Sequence, residues 1–309
     1  MKILLCGAES PLGRSLLFRL EQMQFPFVLL DAATLATITA TELDALLRKN
    51  KISGIVNVQH LPFGGGDIDP GTSEQAVQYA RNPEVLALAA ATTNCFLLQL
   101  SDAQVFSGMQ ASNYRETDEP DAQSTYGALR WAGERAVIET CPRHLILRTG
   151  ELFSSIGQNI LTDLLAAWRR AGEARVSARY RFSPTSVRDA ARVIIAVLQQ
   201  LSCGIEPWGV YHYSGTDAIS YFDFARLIKQ IVEKSDLDLQ TEMHDLAENL
   251  PPLSWALDCG KIRNTFGIKQ HPWRAGLTSG VRRALTVLNA EDSATAVRIE
   301  KEENEEGDV

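Results

Sequence analysis

Over the first 150 residues, short apolar runs alternate with longer segments whose apolar positions recur at helical spacing. KILLC is a β-prone run ending at Gly7, and RSLLFRLEQM follows with a helical period. FVLLD predicts a second buried strand, TELDALLRKN a helix with Thr41 as its N-cap, and GIVNV a third strand. The Ala-rich PEVLALAAATT predicts a helix leading into a fourth strand, CFLLQLS. STYGALRWAGERAVIET is a helix starting at Ser124 or Thr125, and HLILRTG is a fifth strand. Strands alternating with helices imply parallel βαβ units. The expected fold is therefore α/β, a doubly wound, Rossmann-like parallel sheet with ligands beyond the carboxyl ends of its strands.

Beyond Gly150 the alternation loosens. NILTDLLAAWRRAG, SVRDAARVIIAVLQQL and YFDFARLIKQIVEKS are helical, and GVYHYSG is strand-like. The pattern predicts more sheet interleaved with a small lobe that ends near residue 290. HLPFGGGDIDPGTSEQ is the one conspicuous loop, and its Gly64, Gly65 and Gly66 suit a surface loop better than a lip over a cleft. Residues 291–309 contain IEKEENEEGDV, which is too charged and too poor in apolar residues to pack, and predict an acidic disordered tail.

Composition narrows the classes. The net charge of −8, with no basic cluster, argues against nucleic acid as a partner. The five cysteines are scattered without a CxxC pair and the five histidines form no HExxH, which argues against a disulfide framework or a metal site and for a reducing compartment. MKILLCGAES carries too short an apolar run for a signal peptide, and no run approaches the roughly 20 residues that span a bilayer. The expectation is a soluble, metal-free, cytoplasmic protein with no membrane partner.

The first candidate chemistry lies where the first strand meets its helix, in Gly7-Ala-Glu9-Ser10-Pro11-Leu12-Gly13. A helix opening directly off a strand presents free N–H groups to a pyrophosphate, which is what a dinucleotide fingerprint uses. Gly7 and Gly13 fill two of three glycine positions, while Ser10 stands where a missing side chain would admit the phosphates. Pro11 removes a backbone donor, and Glu9 brings negative charge towards an anionic ligand. NAD or NADP is the expected cofactor, weakly bound. Asp31, at the end of the second strand, is placed to hold a ribose, and no arginine follows it to receive a 2′-phosphate, which leans towards NAD.

Further along, LSDAQVFSG (100–108), TYGALRWAGE and LILRTG, followed by SPTSVRDAA, GVYHYSG, FDFARLI and LDCGKIRNTFGIKQHPW, occur in a telling order. Together they make the chain similar, from residue 1 to about 285, to the dTDP-4-dehydrorhamnose reductase family of extended short-chain dehydrogenase/reductases. The resemblance implies a dinucleotide-binding domain over residues 1–150 and a substrate-binding lobe over 151–290. It also implies a nucleotide sugar as ligand and reduction of a 4-keto sugar by NAD(P)H. A homodimer and a protein partner are both left open.

Carried over position by position, the family's proton-donating tyrosine is Tyr126, its lysine is replaced by Arg130, and its strand-end threonine is replaced by Asp102 with Ser101 beside it. Asn57 keeps its identity at the end of the third strand, but the small residues that follow it in the family have become Val58 and Gln59. The lobe's Arg-Pro-x-Asn-Ser pattern has become PPLSW (251–255), without its arginine and asparagine.

These exchanges change the chemistry. Arg130 keeps the charge that makes a tyrosine a better acid, but it is bulky, planar and does not relay protons. An ionised Asp102 only accepts hydrogen bonds and cannot polarise a ketone. Asp102 and Arg130 are matched in charge and predict a bidentate ion pair in the space that ribose and carbonyl need. Two readings follow. One is a binding or regulatory member with lost or weak reductase activity, for which the family has a precedent in the regulatory beta subunit of methionine adenosyltransferase. The other is an active reductase in which Arg130 grips the ribose and Ser101 serves the carbonyl.

Overall fold

The computed structural model of the chain describes the backbone of residues 1–59, 74–235, 239–246 and 251–289, and the side chains of these except 74–80. The glycine loop at 60–73 and the acidic tail lie outside the described residues. The elements run β1 (Ile3–Cys6), α1 (Pro11–Gln22), β2 (Phe27–Leu30), α2 (Ala32–Thr37), α3 (Ala40–Asn50), β3 (Gly54–Asn57), α4 (Glu74–Thr93), β4 (Phe96–Asp102), α5 (Thr125–Thr140) and β5 (His144–Thr149). The second half adds β6 (Leu152–Phe153), α6 (Ile160–Ala171), β7 (Glu173–Val176), β8 (Tyr180–Phe182), β9 (Thr185–Ser186), α7 (Val187–Ser202) and β10 (Gly209–Tyr213). It ends with β11 (Ile219–Ser220), α8 (Tyr221–Val232), β12 (Glu242–Asp245), β13 (Leu253–Ser254), α9 (Gly260–Phe266) and α10 (Leu277–Asn289).

Six strands form one parallel sheet in the order β2-β1-β3-β4-β5-β10, the doubly wound arrangement expected from the sequence. The winding reverses between β1 and β3, so the crevice for a ligand opens where Gly7 and Val58 leave their strands. The two backbones are close there: a Cβ on Gly7 would lie 2.6 Å from the Gln59 nitrogen. Gly7 also has a φ of +87°, which a side chain would disfavour.

One sheet face is packed by α1 and α7 (Leu12, Leu16, Leu20, Val193, Ile194, Val197), and the other by α3, α4 and α5 (Leu43, Leu47, Leu86, Ala90, Val137). A separate core around Phe153, Trp168, Phe224 and Trp273 holds the lobe. The lobe is interleaved with the sheet: α7 and β10 return to the sheet body before α8 goes back to the lobe.

Two local expectations are corrected. Thr41 lies inside α3, and the cap is Thr39, whose hydroxyl and N–H make a reciprocal capping box with Glu42. The helix placed at Pro83 starts earlier, at Glu74, with Pro83 in its interior. Proline also suits a first helical turn, so the sequence signal was ambiguous, and the helix continues upstream at the cost of one backbone hydrogen bond. Among the described residues no helix is long and apolar enough to cross a membrane. All five cysteines are unpaired thiols.

Candidate active site

The carboxyl ends of β4 and β5 and the first turns of α5 form the site. Ser124 caps α5 by accepting from the Gly127 N–H at 3.0 Å. Gly127 lets this turn sit on the chain leaving β4, since a Cβ there would meet the Gln104 carbonyl at 2.1 Å. This close approach brings Tyr126 over Asp102, the last residue of β4. The Tyr126 hydroxyl donates to Asp102 Oδ2 at 2.5 Å, and Arg130 Nε donates to the same oxygen at 3.1 Å. Arg130 also approaches the Tyr126 hydroxyl oxygen (3.3 Å) and the Gln59 carbonyl (3.4 Å). All three side chains are buried.

The ion pair expected between Asp102 and Arg130 is thus present, with a different geometry. Its described contact is Nε to Oδ2, while Asp102 Oδ1 accepts the Gln104 N–H at 2.9 Å and caps the 3-10 turn Ala103–Val105. The carboxylate is shared among a phenol, a guanidinium and the backbone.

Burial holds the Tyr126 hydroxyl well above a phenol's ordinary range; Arg130 pulls it down, but Asp102, which takes its hydrogen bond, adds to the rise. Burial also disfavours the charge on Arg130, but Tyr126 and Asp102 reverse that and hold it above the usual guanidinium value. A third acid belongs to the site. Burial, followed by Asp102 and Asp163, pushes the Glu151 carboxyl up to about 8.

Ser101 is not among the hydrogen-bond partners of Asp102, Tyr126 or Arg130. Strand alternation puts it on the face of Leu97 and Gln99, and its Oγ is buried with no hydrogen-bond partner among the described residues. Asn57 and Gln59 belong to a buried amide chain. Asn82 Nδ2 donates to Gln59 Oε1 (3.0 Å), the Gln59 N–H donates to Asn57 Oδ1 (3.2 Å), and Asn57 Nδ2 donates to Gln99 Oε1 (2.9 Å). This chain fixes the carbonyl that Arg130 meets. Val58 points into the core.

At the glycine turn, Ser10 caps α1. Its hydroxyl donates to the Gly7 carbonyl at 2.8 Å and accepts the Gly13 N–H at 3.0 Å, so one of the helix's free donors is already engaged. Pro11 opens the helix, Leu12 is buried in the core, and Gly13 admits no side chain because a Cβ would lie 1.9 Å from the Gly7 carbonyl. The tight turn and the helix start at the sheet's reversal point fit a dinucleotide pyrophosphate, which the free N–H groups of the helix start can serve. Asp31 caps α2, accepting from the Thr34 N–H and hydroxyl, both at 2.8 Å.

In the altered lobe motif, Pro251 and Pro252 are exposed, and Trp255 bridges to the sheet body. Its indole N–H donates to the Phe106 carbonyl at 2.9 Å and its ring lies against Gly108. Sequence reasoning did not single out Glu151, Gln104, Asn82, Gln99 or Trp255 as site residues. Only Trp255 carried a signal, as a bulky residue inside a displaced motif.

Residues 1–286 match the family described as RmlD substrate binding domain. The dTDP-4-dehydrorhamnose reductase of Aggregatibacter actinomycetemcomitans is 28% identical over 290 residues, covering 89% of this chain and 97% of the relative. A crystal structure of a dTDP-4-dehydrorhamnose reductase from Clostridium acetobutylicum superimposes with a TM-score of 0.77 at 23% identity, covering 94% of this chain and 100% of that one. The Bacillus anthracis dTDP-4-dehydrorhamnose reductase in complex with NADP gives 0.75 at 22% identity, with 90% and 96% covered. With the whole sheet and nearly all of the lobe matched, this chain belongs to the dTDP-4-dehydrorhamnose reductase family.

Proposed function

We propose that the chain binds a nicotinamide dinucleotide and a dTDP-linked sugar, and that Asp102 suppresses its tyrosine-driven reduction of a keto sugar. The observation that carries this reading is the shared Oδ2 of Asp102, which takes both the Tyr126 proton and the Arg130 Nε–H. Family membership supports the choice of ligands, as does the NADP bound to the Bacillus anthracis relative.

A bound dihydronicotinamide supplies hydride, and the chain must supply binding, orientation and a proton. Gly7, Ser10, Pro11, Leu12 and Gly13 offer the turn and helix start for the pyrophosphate, with Asp31 at the ribose end. Arg130 stands where the family's lysine would hold the other ribose. Tyr126 is in place, but its proton is directed at a carboxylate, and its pKa is raised rather than lowered. The strand-end hydroxyl that would polarise the carbonyl is replaced by an acceptor. Loss of one such donor costs about 10²–10³ in rate.

Titration calorimetry with NADH, NADPH and dTDP should register binding, with the dinucleotides weak. Turnover of a dTDP-4-keto-6-deoxy sugar should be slow. Fast turnover by the unmodified chain, abolished by Tyr126→Phe, would falsify suppression; failure to bind both dinucleotides and dTDP would remove the ligand assignment.

A further inference from the structure

Glu151 is an acid at the site to which the tyrosine route gives no work. Two residues before it, Thr149 pairs in register with Asp102, so Glu151 emerges at the sheet edge that carries the Asp102 carboxylate. Gly150 makes the step between them, in a space where a Cβ would meet the Ser183 carbonyl at 2.1 Å. The Glu151 carbonyl then accepts the Thr185 N–H at 2.8 Å, which pins the backbone. Gln104 lies by both acids: its N–H holds Asp102, and its side chain draws the Glu151 pKa down against the rise that burial causes.

The other titratable groups whose charges bear on Glu151, or on which it bears, are Tyr126 from α5, Asp163 from α6 and Tyr221 from α8. Among the described residues the charges that act on it are the carboxylates Asp102 and Asp163, and Arg130 is engaged by Asp102, Tyr126 and the Gln59 carbonyl. Unlike the buried Asp102, Tyr126 and Arg130, Glu151 is partly open to solvent.

We propose that Glu151, carrying its proton, is the acid that protonates the carbonyl oxygen of a bound keto sugar in this chain, in place of Tyr126. The assignment rests on the reading of the chain as a dinucleotide- and sugar-binding member of its family. An acid serves best when its pKa lies near the working pH. Glu151, at about 8, meets that condition, and Tyr126, far above a phenol's ordinary range, does not. In the step, hydride from the dihydronicotinamide bonds to the keto carbon and the carbonyl π pair takes the Glu151 proton as a new O–H bond. The products are an alcohol, an oxidised nicotinamide and a Glu151 carboxylate, which is reprotonated from water.

The test is single-turnover reduction of a dTDP-4-keto-6-deoxy sugar by NADPH as a function of pH, with both ligands first shown to bind by calorimetry. The rate should fall on the alkaline side with a midpoint near 8. Glu151→Gln should lower it at neutral pH by about 10²-fold and remove that limb, and the limb should persist in Tyr126→Phe. Independently of turnover, carbon-13 carboxyl spectra of glutamate-labelled protein should show one side chain titrating near 8. That resonance should be absent from Glu151→Gln and should move when the keto sugar is added. A limb indifferent to Glu151→Gln, no high-titrating carboxyl, or no turnover with both ligands bound would each overturn the assignment; the last would leave the binding reading intact. Absence of binding would overturn both.

Discussion

Helix α5 carries two buried arginine–carboxylate pairs one turn apart, with opposite polarity. Glu134 on the helix meets Arg148 on β5, and Arg130 on the helix meets Asp102 on β4. The first is a complete fork: Arg148 Nη2 reaches Glu134 at 2.7 Å and Nε reaches both carboxylate oxygens at 3.0 Å. The second is a single described contact of 3.1 Å, with its acceptor oxygen shared with Tyr126. The saturated pair fastens helix to sheet and has nothing left to give. The shared one stands where chemistry happens in the family and ties up the proton that chemistry needs. Burial and charge are similar in the two pairs, and what separates them is that Glu134 gives both oxygens to Arg148 while Asp102 is shared among Arg130, Tyr126 and the backbone.

The largest effect should come from breaking the saturated pair. Glu134→Ala leaves Arg148 buried beside His212, a ring that burial and then Arg148 hold neutral by lowering its pKa to about 3. Stability should drop by about 3–5 kcal/mol, read from urea denaturation. In the same assay Asp102→Thr should cost only about 1–2 kcal/mol, because Arg130 keeps the Tyr126 oxygen and the Gln59 carbonyl. Equal losses would erase the distinction between the pairs.

Next in size is a gain. Asp102→Thr with Arg130→Lys should raise keto-sugar turnover by about 10²-fold, while each change alone does little: the lysine alone still faces the carboxylate, and the threonine alone faces an unmatched arginine. A single change that recovers as much as the double would show that the two residues do not act as a pair. A smaller gain is expected at the glycine turn. Ser10→Gly with Glu9→Asn frees the Gly13 N–H and removes a negative charge, at a capping cost of only a few tenths of a kcal/mol. NADPH affinity by calorimetry should rise by roughly tenfold or less, in keeping with one added charge-assisted hydrogen bond; no rise would mean that the turn does not limit binding.

A pH effect on stability is expected as well. The Glu151 pKa rises on folding from 4.5 to about 8. Between those values the unfolded chain has released this proton and the folded chain has not. Its contribution to stability is therefore complete below about 4.5 and is lost as pH rises towards 8. Denaturation midpoints of wild type and Glu151→Gln should diverge across that window, with the variant gaining, and run parallel above it. Parallel curves throughout would mean that Glu151 titrates normally.

The sheet was legible because each buried run is short and is followed by a segment of helical period, and the order of motifs located the tyrosine, arginine and aspartate together. Charge matching of Asp102 with Arg130 is a property of residue types, so the sequence reached it. The sharing of one oxygen depends on how closely Gly127 lets α5 approach the Gln104 carbonyl, which no spacing encodes. Ser101 looked available because it is adjacent in sequence, yet neighbours on a strand face opposite ways. Glu151 was illegible as an acid: one glutamate after a strand-ending glycine has no period and no motif. Its raised pKa comes from burial first and then from Asp102 and Asp163, and no local pattern in the sequence encodes any of these.

The sheet's last strand, β10, enters the chain only after α6, β7 and β8 have built much of the lobe. Gene fragments must respect this threading. A fragment ending near residue 150 would leave β5 as a bare hydrogen-bonding edge and would lack α7 over the apolar face beside α1. Such a piece is a candidate for aggregation rather than a minimal dinucleotide-binding unit. Exchanging lobes between relatives would require several junctions, because the polypeptide passes back and forth between the two bodies.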